Sequence, residues 1–245
     1  MKPALEQAIR QVSELSSNEK ELMFLLMADH YKDMQRETFD RDLSQKNLVL
    51  LLWAENRIQG FTTFVSNPKG CGTAQYHILF SGDTIIAPEF WGSTAMVDGW
   101  FKVVARFLAS DPHKPWYWFL MSKGHRTYMY LPLFFQQYYP ALEPNRQIDT
   151  LKEIANDVAF KLYPEHWRPD LGVIQFPNAA GALTAKLAAG TYDRKHNPQV
   201  AFFLKKNPNF EKGDELVCIC ALNPDNLRGS SREKLLDLLA LSSTA

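Results

Sequence analysis

Cysteine is scarce in this chain. Its 245 residues hold three, Cys71, Cys218 and Cys220, too few for a disulfide framework. Cys218 and Cys220 alternate within ELVCICAL, so a strand would carry both on one face. No C-x-x-C or H-x-x-x-H spacing supplies further ligands, so the pair reads as small buried apolar residues and no metal is expected. A surplus of either charge is also missing, because 27 Lys and Arg balance 27 Asp and Glu. A nucleic-acid partner needs a basic face, and none is expected here. No run approaches the roughly 18 apolar residues of a membrane span. MKPALEQAIRQVSEL carries charges throughout and has no apolar core of signal-peptide type, so a soluble cytoplasmic protein is the expectation. There is no G-x-x-x-x-G-K-[ST], which disfavours nucleoside triphosphate hydrolysis. There is no G-x-S-x-G, so a hydrolase acting through His and Asp lacks a recognisable nucleophile.

Apolar residues are plentiful, at 46%, and aromatics reach 13%, enough for a sizeable core. Leu5, Ile9, Val12 and Leu15 have helical spacing, predicting a first helix over PALEQAIRQVSEL. Ser16 and Glu19 form a capping-box pattern before a second helix, KELMFLLMADHYKDM. LVLLLWA (48–54) is a continuous apolar run, as in a strand buried on both faces, and IQGFTTFV returns from it as a hairpin. TAQYHILFSGDTII is a long strand whose internal Gly82 invites a bulge. After Pro88 the period changes, and STAMVDGWFKVVARFLAS reads as a helix. WYWFLMS is another buried strand, followed by a short aromatic helix in KGHRTYMYLPLFFQQYYP. Strand–helix–strand order here implies a parallel crossover beside the antiparallel hairpin. Beyond residue 147, IDTLKEIANDVAFKLYP reads as a helix, QVAFFLKK and ELVCICAL as two strands, and SREKLLDLLAL as a closing helix. The expected division is 1–147 as the main domain and 148–245 as an α+β extension packed on it.

This order of elements, carried by GDTIIAPEFWGSTAM and WYWFLMSKGHRTYMY, resembles the GCN5-related N-acetyltransferase (GNAT) superfamily over about residues 18 to 140. The resemblance implies an α/β fold, with a mixed central sheet flanked by helices. It also implies transfer of an acyl group from a thioester to a small-molecule amine. The donor would be acetyl-CoA, a longer acyl-CoA or an acyl carrier protein, and YMYLPLFFQQYY would line a pocket for a longer chain. In that superfamily the corner after the long strand holds the cofactor pyrophosphate on helix N-terminal amides, following a Gln/Arg-x-x-Gly-x-Gly/Ala pattern. Gly92 fits the first glycine. Glu89 stands where Gln or Arg is expected and Thr94 where Gly or Ala is expected. The implied donor contacts are Thr84, Ile85, Ile86, Trp91, Gly92, Ser93, Thr94, Ser122 and Lys123, with Arg126 nearby. As a plain connection, the same corner would need only Gly92 to turn and Ser93 or Thr94 to cap the helix.

Amide formation from a thioester needs a base for the amine, stabilisation of the carbonyl oxygen and an acid for the thiolate. Asp83, an acid inside a strand, is the first candidate base, with His77 or Glu89 as substitutes. Asp83 is equally placed to hold the bulge through hydrogen bonds. A lone strand histidine such as His77 is more often structural. Tyr128 or Tyr130 lies where the superfamily often has its acid, and both also suit an aromatic core. The alternative class is a GNAT-like binding or interaction module without transfer. Whether residues 148–245 cover the acceptor site, form a homodimer or bind a carrier protein stays open in the sequence.

Overall fold

The computed structural model describes residues 3–143, 148–176 and 182–242. The first element is strand β1 (Glu6–Gln11), where the spacing of Leu5, Ile9, Val12 and Leu15 predicted a helix. The neighbouring strand explains the difference. β2 (Leu48–Ala54) is apolar along its whole length and buries its backbone, so both of its edges need partners. β1 pairs antiparallel along one edge, with Ile9 opposite Leu50, and the need for that pairing overrides local helix preference. Helix α1 (Ser17–His30) follows with its capping box formed. Ser16 Oγ accepts from the Glu19 amide at 3.2 Å, and Glu19 Oε2 accepts from the Ser16 amide at 2.8 Å. A second short helix, α2 (Arg36–Leu43), leads into β2.

β2 and β3 (Arg57–Ser66) form the expected hairpin. β4 (His77–Ile86) pairs antiparallel with β3 and parallel with β5 (Trp116–Ser122), the crossover being α3 (Ala95–Ser110). The aromatic segment divides into two short helices, α4 (His125–Tyr128) and α5 (Tyr130–Phe134). Then come α6 (Ile148–Leu162), two short strands β6 (Trp167–Arg168) and β7 (Val173–Ile174), α7 (Ala185–Tyr192) and α8 (Pro198–Lys206). β8 (Glu215–Leu222) and α9 (Ser230–Ser242) close the fold.

α8 is a second correction, since QVAFFLKK was expected as a strand. Helix signals are present: Asn197 caps the amides of Gln199 and Val200, Pro198 occupies the first turn, and two lysines sit in the last. Val200 and Phe203, three apart, bury one face, as a helix requires.

All eight strands join one mixed sheet in the order β1-β2-β3-β4-β5-β8-β7-β6. β8 pairs with the full length of β5, so residues 148–245 contribute to the same sheet as residues 1–147. Helices cover both faces. α3 and α9 pack on one side over Leu50, Phe64, Leu79 and Trp118, together with buried Cys218 and Cys220. α1 and α2 cover the other side over Leu51 and Phe61, and α6 covers it over Phe80 and Phe119. Among the described residues, no helix is long and apolar enough to cross a membrane.

Gly99 sets how closely α3 approaches the sheet. A Cβ there would lie 2.6 Å from both terminal carbons of fully buried Leu50. Gly99→Val should therefore destabilise the protein by about 1–3 kcal/mol through overpacking. Urea unfolding checks this, and an unchanged midpoint would mean that α3 can move off β2 at no cost.

Candidate functional site

The site begins where two parallel strands part. β4 and β5 stay in register from His77–Trp116 to Ser81–Leu120. Ser81 marks the end of that pairing, and its Oγ accepts from the Trp118 indole at 2.7 Å. Each strand then continues with its outer partner only. β4 pairs with β3 as far as Ile86, and β5 with β8 as far as Ser122. The inner edge of β4 beyond Ser81 therefore borders a gap.

A bulge opens the gap. Thr63 faces Gly82 and Phe61 faces Ile85, so two residues of β3 span three of β4. The extra residue twists β4 away from its neighbour. Two threonines of β3 pin it. Thr62 Oγ1 donates to the Gly82 carbonyl at 3.2 Å and lies 2.8 Å from Thr84 Oγ1. Thr63 Oγ1 lies 3.1 Å from both the Gly82 carbonyl and Asp83 Oδ2, and its one proton serves one of them at a time. Asp83 itself takes the left-handed conformation, with φ 49°. Strained residues of this kind concentrate at functional sites, and Asp tolerates the region better than most.

The gap widens into a cleft of about 1140 Å³. Gly82–Ile86 form one wall, and the start of α4 and the face of α5 form another. Tyr163, Phe176, Arg194 and Glu215 come from beyond residue 147. Around Asp83 the charges are arranged in pairs. Lys46 Nζ is 3.1 Å from Asp42 and sits over the Phe80 ring at 5.0 Å. Lys123 Nζ is 3.3 Å from Glu215 and sits over Tyr31 at 5.2 Å. Asp83 has no cation of its own among the described ion pairs. It faces the cleft but is surrounded by protein, and burial, reinforced by Asp42, raises its pKa to about 6 against the pull of Lys46 and Lys123. Burial works against the Lys123 cation, yet Glu215, Tyr31 and Asp83 outweigh it and hold its pKa above the ordinary value. Burial also lifts Tyr31 to about 12.

The corner after β4 forms the far rim. Pro88–Phe90 make a 3-10 turn, the Trp91 indole donates to the Ile86 carbonyl at 2.9 Å, and Gly92 turns the chain with φ 89°. No atom approaches within 4 Å of where a Gly92 Cβ would stand, so the glycine serves the turn. Several corner amides are already used. The amide of Trp91 donates to Pro88, that of Ser93 to Phe90 and that of Ala95 to Ser93 Oγ. Thr94 Oγ1 turns to Asp98 at 2.8 Å.

Asp83, Tyr130, Thr84, Ile85, Ile86, Trp91, Gly92, Ser93, Thr94 and Lys123 all line this cleft. Four candidates lie apart from it: His77, Glu89, Ser122 and Tyr128 are not among its lining residues. His77 is at the opposite end of β4, bonded to Asp111 and Asn67, with its ring 4.4 Å from that of Trp116. Ser122 is buried, with its hydroxyl turned to the Gly124 carbonyl. Tyr128 is fully buried among Tyr138, Phe202 and Phe203, and its hydroxyl faces the Pro140 carbonyl and Gln199. Burial raises the pKa of Tyr130, so its hydroxyl keeps its proton. Sequence reasoning missed Lys46, Tyr31, Arg194 and Glu215. Only Glu215 carried a signal, akin to that of Asp83: an acid within an apolar strand, here at its head. Among the described residues, no group of three His, Cys, Asp or Glu is placed to hold a metal ion.

No family model and no curated protein matches this sequence. Similar solved structures do exist. The chain is similar in part to GNAT-family N-acetyltransferases. Escherichia coli ElaA is 16% identical at a TM-score of 0.39, over 57% of this chain and 90% of that one. An acyl-CoA N-acyltransferase from Pseudomonas aeruginosa is 13% identical at a TM-score of 0.41, over 52% and 85%. N-acetylglutamate synthase from Neisseria gonorrhoeae, solved with coenzyme A and N-acetyl-glutamate, is 11% identical at 0.37; the match covers 60% of this chain and 32% of that one.

The raised pKa of Asp83 has a measurable consequence. Between about pH 4 and pH 6 the folded protein holds a proton on Asp83 that the unfolded chain has lost. The Asp83 contribution to stability therefore falls as pH rises through that window. Asp83→Asn tolerates the same backbone and cannot ionise. Its stability relative to wild type should climb from pH 4 to pH 6 and level off above. A pH-independent difference in urea unfolding would show that Asp83 titrates normally.

Proposed function

We propose that this chain is a divergent GNAT-type N-acyltransferase that moves an acyl group from a coenzyme A thioester to an amine. The observation that carries the reading is the bulge that parts β4 from β5 beside a half-buried acid. The parted edge of β4 offers backbone not engaged by β5, which suits a thioester lying along it with its carbonyl held by main-chain donors. The cleft volume accommodates a carrier of that size.

Within this frame Asp83 is the base. A primary amine arrives as an ammonium ion, and Asp83, unlike Asp42 and Glu215, has no lysine partner among the described ion pairs. Asp83 accepts one ammonium proton, and a pKa of about 6 leaves it ionised at neutral pH yet basic enough to assist. The amine nitrogen then forms a bond to the acyl carbon, the carbonyl electrons move to oxygen and return, the carbon–sulfur bond breaks, and the nitrogen gives up a second proton, which restores the tyrosine that protonates the sulfur. Tyr130, kept protonated by burial, supplies a proton to the departing sulfur. Lys123, tied to Glu215, contributes positive charge beside Asp83 and keeps the acid from rising further.

The test is amine-dependent thiol release from acetyl-CoA, measured across a panel of primary amines. Asp83→Asn should lower kcat by about 10²–10⁴-fold, and the wild-type kcat/KM should rise with pH through a limb near 6. Tyr130→Phe should lower kcat, while Tyr128→Phe should leave it unchanged. Acetyl-CoA binding with no thiol release for any amine would instead favour a binding module on this scaffold.

A further inference from the structure

The corner that would take a phosphate is partly closed to one, because the amides of Trp91, Ser93 and Ala95 have partners inside the turn and Thr94 is turned to Asp98. Positive charge collects beside it. The Arg126 guanidinium, from the first turn of α4, lies over the Trp91 ring at 3.7 Å. α7 packs close by, since a Cβ on Gly190 would be 3.7 Å from Arg126 Nη2. Arg194 follows α7 and lines the same end of the cleft. Neither guanidinium is ion-paired to a carboxylate among the described residues. Burial and then Arg194 lower the Arg126 pKa, as expected for two like charges held together without a counter-ion.

Close to both is His125, 2% exposed and lining the cleft. Its Nδ1 is 2.9 Å from Thr191 Oγ1, while its Nε2 is buried without a partner among the described residues. Burial, Arg126 and Arg194 push its pKa down to about 4, so it is neutral at physiological pH. In the tautomer whose Nδ1 accepts from the Thr191 hydroxyl, Nε2 carries the proton and is a donor in want of an acceptor. Two guanidiniums without a carboxylate, and the N–H of that tautomer, lack the same thing: a group with several anionic oxygens. Guanidinium forks match phosphate in geometry and in charge.

We propose that Arg126, Arg194 and His125 form a phosphate-binding pocket for the acyl donor, built half from the segment beyond residue 147 and replacing the corner amides. The inference rests on the thioester-donor reading above and says which end of the cleft holds the donor's anionic part. Phosphate ester is the shared chemistry of two sources. Free coenzyme A brings a diphosphate and a ribose phosphate, while a carrier protein's phosphopantetheine arm brings one phosphodiester. Two arginines together suit the more highly charged group.

Calorimetric titration of the full chain with coenzyme A, 4′-phosphopantetheine, pantetheine and inorganic pyrophosphate tests this. Arg194 is exposed, so Arg194→Gln removes a charge without emptying the core. It should weaken coenzyme A at least tenfold, leave pantetheine unchanged, and leave the ligand-free protein as stable as wild type or more so, because repulsion is relieved. If 4′-phosphopantetheine binds as tightly as coenzyme A and weakens equally in Arg194→Gln, the pocket stands and its source is the carrier arm. If pyrophosphate binds through Arg194 but coenzyme A does not bind, the pocket stands and the thioester-donor reading fails. Equal coenzyme A affinity in both proteins, equal loss of coenzyme A and pantetheine, or no binding of any phosphate compound to wild type would each overturn the proposal.

Discussion

One residue too many in β4 organises this molecule. The bulge at Gly82–Thr84 ends the parallel pairing with β5 after Ser81, and everything in the cleft follows from that divergence. The opening is rigid because each parted strand keeps its outer neighbour. β3 grips one side through Thr62 and Thr63, and β8 runs the full length of the other. A strand pair that parted without such partners would expose unpaired backbone and close up or fray. Here the gap is held open by sheet hydrogen bonds on both flanks.

The same geometry accounts for the unusual acid. A bulge residue has to leave the ordinary strand conformation, and Asp83 does so at φ 49°. This aims the carboxylate into a cleft where the two lysines that act on it are already matched, Lys46 with Asp42 and Lys123 with Glu215. Asp83 is therefore left without a cation of its own among the described residues, with a raised pKa that suits proton exchange with a ligand. Strain, burial and proton affinity at this position thus share one structural cause. β8 is part of that cause, since Glu215 holds the lysine that moderates Asp83. The segment after residue 147 consequently reaches the cleft as well as the sheet.

Much of the architecture was legible in the residues. LVLLLWA, the hairpin, the long strand with Gly82 inside it and the helix after Gly92 are local patterns, and the structure keeps them. What could not be read depended on partners far along the chain. EQAIRQ is a strand because β2 needs an edge partner, a requirement invisible in its own spacing. PQVAFFLKK is a helix despite its aromatic and β-branched run, and the Asn-Pro that starts it was the overlooked signal. In the site, Asp83 stood out as an acid inside a strand. Tyr128 and Tyr130 were indistinguishable until helix geometry sent the first into the core and the second to the cleft. Arg194 lies in a loop and carried no pattern at all. Its place beside Arg126 is a product of tertiary packing.

The central claim is that the parted edge of β4 is where an acyl thioester is held. Hydrogen–deuterium exchange, measured with and without acetyl-CoA, reads that edge directly. The account predicts slowed exchange at residues 82–86, with residues 77–81, already paired to β5, unchanged. Protection confined to other parts of the chain, with 82–86 exchanging as before, would contradict it.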